Sequence, residues 1–230
     1  MLVLWDIDHT LIDTRGVGRE LSAAAFEEAT GVPMREQATI DGITERVIFR
    51  ETAKLHGFAV GPEDFARFAA ALGRQHLARA ADLRERGHAL AGAAAVIDAL
   101  AARGAVQTVV TGNVRGAAEV KLGVFGLDRH ILWDLGAFGE DADERVDLVR
   151  IALRRAERTA GEAVLVGDTP ADVAGGLGAE VRVVGVATGR SSAEQLRCAG
   201  ATEVLPDLRN STAAVEALLG AELHRQHREP

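Results

Sequence analysis

The chain has 230 residues, 47% hydrophobic and 26% charged with 5 prolines, enough apolar material for one large domain or a domain with a smaller insertion, and too much for a disordered chain. A net charge of −8 argues against a broad surface for nucleic acid or anionic membrane, and a single cysteine, Cys198, excludes an internal disulfide and a cysteine zinc cluster. The amino terminus has no basic, signal-like stretch and no apolar run reaches spanning length, so a soluble, cytoplasmic protein is expected.

The apolar run Leu2-Val3-Leu4-Trp5 predicts a buried strand that empties into a loop at Asp6-Ile7-Asp8. A mostly helical stretch follows, over 14–90. Its first helix, over 20–30, stops at Gly31 with Pro33 just beyond. A second starts near Thr44 and carries Val47, Ile48, Glu51 and Leu55. A third shows Phe65, Phe68, Ala69 and Leu72 at helical spacing. No strand is expected in this stretch. From Gly92 onward helices and strands alternate: a helix over 93–103 closed by Gly104, a strand over 105–111, a helix over 115–124 and a short strand over 131–135. A long helix over 145–159, a strand over 163–167 and a short helix from Pro170 come next. A strand over 181–187, a helix over 192–198 and a short strand over 203–205 complete the pattern, and the polar segment 224–230 is expected to fray. Such alternation implies an α/β fold with a doubly wound parallel sheet. Segments 1–13 and 91–230 would build it, with 14–90 as a helical insertion after the first strand.

Three strand ends carry residues suited to chemistry, and in open parallel sheets that edge is where ligands bind. At the first, Asp6 and Asp8 lie two apart and can face one site. Paired carboxylates suit a hard cation, and a carboxylate can also serve as nucleophile or general acid. Alone, the pair reads better as surface acids. The second end, Thr111-Gly112-Asn113, offers a hydroxyl and an approachable N–H for an anion, or merely a helix cap. The third, Gly167-Asp168-Thr169-Pro170-Ala171-Asp172, delivers Asp168 to the same edge. Thr169 is placed to cap the next helix, Pro170 holds its first position, and Asp172 lies one turn beyond Asp168 to hold a water or Thr169. Helix-dipole decoration explains Asp172 but not Asp168.

Taken together and in this order, Asp6-Ile7-Asp8-His9-Thr10-Leu11, Thr111-Gly112-Asn113 and Gly167 to Asp172 resemble the motifs of the haloacid dehalogenase superfamily. The likeness is to phosphoglycolate-phosphatase-like members with a helical cap. It runs over nearly the whole chain, including Gly185-Val186-Ala187-Thr188-Gly189 and Ala199-Gly200-Ala201 near the end. The resemblance implies a Rossmann-like core and a cap covering the site. It also implies Mg²⁺ held by Asp6, Asp168 and the main-chain carbonyl of Asp8. Asp6 would be the nucleophile, forming an aspartyl-phosphate, and Asp8 the general acid and base. Thr111, Gly112, Asn113 and a basic residue would receive the phosphate, with Thr169 and Asp172 in support. The implied substrate is a small phosphomonoester of phosphoglycolate or sugar-phosphate type, with no nucleic-acid or membrane partner, acting as monomer or homodimer. A phosphomutase of the same fold uses the same residues. A dehalogenase needs no acid at Asp8.

Two departures stand out. His9 occupies a position that is usually glycine, and its side chain is expected to point outward. The basic residue of the third motif is taken as Arg145, 23 residues before Asp168, with Lys121 the competitor; arginine would add a planar fork where lysine is a point charge. The loop Asp41-Gly42-Ile43-Thr44-Glu45-Arg46 reads as a segment able to descend onto the site, or as a helix start capped by Thr44 or Asp41. Lys54, alone among lysines of the insertion, sits on an amphipathic helix and is a poor Schiff-base candidate. A sugar-nucleotide transferase using D-x-D would leave Thr111-Gly112-Asn113 and Asp168 without a role.

Overall fold

The computed structural model describes residues 1–38 and 43–220. Five strands form one parallel sheet in the order β4-β1-β5-β6-β7: β1 (Leu2–Trp5), β4 (Val106–Val109), β5 (Ala163–Gly167), β6 (Arg182–Val186) and β7 (Glu203–Leu205). β1 pairs with β4 on one side and β5 on the other, Trp5 standing opposite both Val109 and Val166. The carboxyl ends of these three strands therefore lie side by side, on either side of the point where the chain reverses its direction of winding.

Alternation along β1 sets the two layers. Val3 and Trp5 face an apolar cluster with α5 (Ala93–Ala101), α6 (Arg115–Val124) and α10 (Ser211–Leu219). Leu2 and Leu4 face the other, with α7 (Arg145–Arg155), α8 (Pro170–Gly178) and α9 (Ala193–Cys198). Trp5 is fully buried and its indole N–H donates to Gln107 Oε1 at 3.1 Å, while Gln107 Nε2 donates to the Ile97 carbonyl. The polar groups of Trp5 and Gln107 thus have partners, without which burial would cost stability.

Between β1 and α5 the chain forms α1 (Val17–Thr30), α2 (Glu45–Leu55), α3 (Pro62–Ala78) and α4 (Ala80–Arg86). α1 ends at Gly31 with φ 72°, the left-handed closing residue expected there. The helices share an apolar cluster centred on Phe26, Phe49, Phe65, Phe68 and Leu72. That cluster also takes in Val114 and Ala117, so the helical layer rests directly on the start of α6.

The structure corrects several expectations. On α2 the buried face is Ile48, Phe49, Thr52 and Ala53, whereas Leu55 is 53% exposed. The stretch expected to lack strands contains β3 (His88–Ala89), which pairs antiparallel with β2 (Ile12–Asp13), because the segments entering and leaving the helical layer run side by side. The strand expected over 131–135 is absent: only Ile131 bridges β4, and Trp133–Leu135 turn as a 3₁₀ helix whose N–H groups bond locally. α7 stops at Arg155, short of the 145–159 expected. α10, capped by Asn210, was not expected at all. Segment 224–230 lies outside the described residues.

Candidate active site

Beyond β1 the chain folds back tightly, with Leu11 N–H donating to the Ile7 carbonyl at 2.9 Å and His9 N–H to the Ile12 carbonyl at 2.7 Å. The turn puts His9 at φ 62°, which costs a residue bearing a Cβ roughly 1–2 kcal/mol. Thr188 Oγ1 donates to the His9 carbonyl at 2.6 Å and braces the turn. His9 is among the residues that line the cavity.

That cavity, of about 580 Å³, opens over the carboxyl ends of β1, β4 and β5. Its floor presents Asp6, Asp8, Thr111, Gly112, Asn113, Lys121, Arg145, Asp168 and Thr169; the helical layer contributes Ile43, Glu45, Ile48 and His76. Arg145 and Lys121, read from the sequence as competitors for one role, both reach it. They serve different acids.

Arg145 joins the acid cluster on the β5 side. Carboxylate oxygens of Asp6, Asp168 and Asp172 lie within 4.8 Å of one another, all three residues buried. Arg145 Nη2 stands 3.2 Å from Asp6 Oδ1 and 2.8 Å from Asp172 Oδ1. Asp172 Oδ2 accepts from both the N–H and the hydroxyl of Thr169, which in turn caps α8 as expected. Thr10, fully buried, reaches Asp168 Oδ1 at 3.2 Å. Burial and the neighbouring acids, Asp172 foremost, hold the Asp6 carboxyl well above its ordinary range, and burial with Asp172 raises Asp168 to about 7. One guanidinium does not balance three buried carboxylates, so a hard divalent cation fits this donor set. Asp6 and Asp168 are the residues to hold it, since Asp172 is committed to Thr169 and Arg145. The backbone at Gly189 supports the same site: a Cβ there would lie 1.8 Å from Asp168 Oδ2.

Lys121 joins the opposite side. Its ammonium donates to Asp8 Oδ1 and Oδ2 at 2.9 and 2.8 Å and to Asn113 Oδ1 at 2.6 Å. Asn113 Nδ2 donates to Asp8 Oδ2 at 2.7 Å and to Thr111 Oγ1 at 2.8 Å. Burial works against the charged form of Asp8, but the charge and hydrogen bonds of Lys121, aided by Asn113, outweigh it and lower the carboxyl. Asn113 therefore orients Asp8 and Lys121, whereas Thr111, which accepts from Asn113 twice, keeps its hydroxyl hydrogen to offer.

The helical layer closes over this floor at Gly112, whose carbonyl accepts from Glu45 N–H at 2.8 Å; a Cβ on Gly112 would lie 2.5 Å from the Ile43 carbonyl oxygen. Arg50 pairs with Asp143 at 2.7 Å, and Arg46 donates to the Glu140 carbonyl. Of the loop read as able to descend, Asp41 and Gly42 lie outside the described residues. Thr44 takes the cap position of α2, but its hydroxyl reaches the Asp143 carbonyl at 3.4 Å instead of the helix. Burial drives Glu45 up to about 7 and His76 down to about 4. The sequence gives no role to His76, and names Thr10, Glu45 and Gly189 only as members of longer stretches. Thr10 could have been assigned one, as the next alternate residue of D-x-D-x-T; His76 is distant in sequence and carries no local signal.

A model of the haloacid dehalogenase-like hydrolase family matches residues 3–186. The chain belongs to this family. No curated protein matches the sequence. Among solved structures, a hydrolase from Pseudomonas syringae is 19% identical with a TM-score of 0.65, covering 94% of this chain and 97% of its own. A structure assigned as a beta-phosphoglucomutase from Bacteroides vulgatus is 18% identical, TM-score 0.65, covering 95% and 88%. A predicted phosphoglycolate phosphatase from Haemophilus somnus is 16% identical, TM-score 0.65, covering 93% and 96%. At these identities the likeness is one of fold. It places this hydrolase's parallel sheet and helical layer among enzymes of the same architecture, and among its described residues no helix is long and apolar enough to cross a membrane.

Proposed function

We propose that this hydrolase is a Mg²⁺-dependent phosphatase of small phosphomonoesters. The observation that carries the reading is the division of labour between two carboxylates one residue apart: Asp6 stands with Asp168 in the acid cluster, while Asp8 is paired with Lys121 and Asn113. Two acids whose surroundings push their protonation apart suit a nucleophile and an acid-base partner.

Asp6, Asp168 and the main-chain carbonyl of Asp8 would hold Mg²⁺, which when bound neutralises charge on the phosphoryl oxygens. Asp6 attacks phosphorus as the ester P–O bond breaks, giving an aspartyl-phosphate. The leaving oxygen takes its proton from Asp8. A dianionic phosphate beside Lys121 competes with Asp8 for the ammonium, which raises the Asp8 carboxyl enough to carry that proton. Asp8 then takes a proton from the water that opens the acyl-phosphate, and Asp6 is restored. The Thr111 hydroxyl and Gly112 N–H face the transferring group, and Arg145 holds Asp6 in line from the far side.

Release of inorganic phosphate from p-nitrophenyl phosphate with Mg²⁺, abolished in Asp6→Asn, tests the reading; wild-type rates in that variant would remove Asp6 as nucleophile. The fold shared with an assigned phosphoglucomutase keeps phosphoryl transfer between sugar positions as a second reading. Phosphate release with a sugar monophosphate separates the two.

A further inference from the structure

Two buried polar atoms on the helical side of the cavity have no hydrogen-bond partner among the described residues: Nε2 of His76 and Oε2 of Glu45. His76 is 2% exposed, and its Nδ1 lies 2.9 Å from the Leu72 carbonyl oxygen. A carbonyl only accepts, so Nδ1 carries the hydrogen and Nε2 presents a bare lone pair. Glu45 is fixed at the start of α2 by its N–H on the Gly112 carbonyl, and its carboxylate is likewise an acceptor. Lys121, the cation whose charge reaches both residues, donates to Asp8 Oδ1, Asp8 Oδ2 and Asn113 Oδ1, which uses its three hydrogens. Buried acceptors left unpaired destabilise the protein that carries them and are retained where something else supplies the donor.

We propose that His76 and Glu45 form a subsite for the leaving group and select phosphomonoesters whose organic part carries hydroxyl donors, a polyol or sugar phosphate. The proposal rests on the phosphatase reading for the position of the phosphate on Thr111 and Gly112. A carboxylate-bearing leaving group would set acceptor against acceptor at His76 Nε2, and at Glu45 whenever that carboxyl is ionised. An ammonium would meet Lys121, whose charge is felt at both residues. Hydroxyls satisfy both acceptors and add no charge. A site built to bond a substrate hydroxyl rejects the analogue lacking it far more strongly than an apolar pocket rejects a missing methylene.

Binding decides the matter independently of turnover. Calorimetric titration of the Asp6→Asn protein with glycerol 3-phosphate, propyl phosphate, 2-phosphoglycolate and phosphoethanolamine compares ligands of similar size. Glycerol 3-phosphate is expected to bind about tenfold or more tighter than propyl phosphate, and tighter than the other two. Adding His76→Phe should collapse that preference, and His76→Gln, which returns an acceptor, should restore part of it. Should the phenylalanine variant fail to fold by circular dichroism, Glu45→Leu, which removes the other acceptor, reads the same ratio. No preference in the parent protein, a preference that survives these changes, or tighter binding of phosphoglycolate or phosphoethanolamine overturns the subsite. Absence of phosphate release from every monoester overturns the phosphatase reading, while the binding preference still reports on His76 and Glu45.

Discussion

Lys121 Nζ stands 2.8 Å from Asp8 Oδ2, with the lysine side chain only 6% exposed. An ammonium this buried is held by the acid it faces, and the acid is held below its ordinary range in return. A depressed carboxyl stabilises the fold at neutral pH and loses that contribution as pH falls through the depressed value. Lys121→Met should therefore lower the urea midpoint at pH 7, with the gap from wild type shrinking towards pH 3. A gap independent of pH would mean that the lysine stem, not its charge, is what matters.

Arg145 bridges Asp6 and Asp172, with its side chain 9% exposed. Arg145→Ala leaves two buried carboxylates uncompensated and is expected to cost about 3–5 kcal/mol in denaturant titrations. Arg145→Lys restores charge without the fork and should recover part of it. An alanine variant as stable as wild type would show that the bridge contributes nothing.

Mg²⁺ should raise the melting temperature of the wild-type protein, since a ligand bound only by the native state at a hundred times its dissociation constant adds about 2.7 kcal/mol. Asp168→Asn should remove most of that shift. So should Gly189→Ala, because its Cβ would fall 1.8 Å from Asp168 Oδ2 and displace the carboxylate. A full Mg²⁺ shift in both variants would place the cation elsewhere.

His76 and Glu45 bend the pH dependence of stability in opposite directions. His76 titrates near 4 in the folded protein, below its ordinary 6.5, so the unfolded chain binds more protons in that window and stability falls as pH drops through it. Glu45 titrates near 7, above its ordinary 4.5, so the folded protein binds more protons and stability falls as pH rises from about 5 to 7. Denaturation across pH 4–8 should show a weaker acid-side loss in His76→Phe and a weaker loss towards pH 7 in Glu45→Gln. Parallel curves for wild type and variants would contradict both assignments.

Local pattern carried much of the fold. Leu2 to Trp5, Ala163 to Gly167 and the Thr169-Pro170 helix start were readable because apolar runs, caps and glycine stops act over a few residues. The segment at Ile131 misled because its apolar residues bridge β4 at single points and turn between them, which no window of sequence reveals. Asp6, Asp8 and Asp168 were legible as acids at strand ends, and the order of the three motifs pointed to one edge.

By itself, then, the chain determined the five strands of the main sheet, most of its helices and the acids delivered to the sheet's carboxyl edge, because these depend on short-range periodicity and backbone propensity. Only the tertiary structure decided that Arg145 serves Asp6 while Lys121 serves Asp8, and that Asn113 orients that second pair. It alone brought Glu45 and His76 over the cavity. Such pairings join residues up to 139 positions apart, and they are set by packing between layers, which leaves no trace in the spacing of the residues themselves.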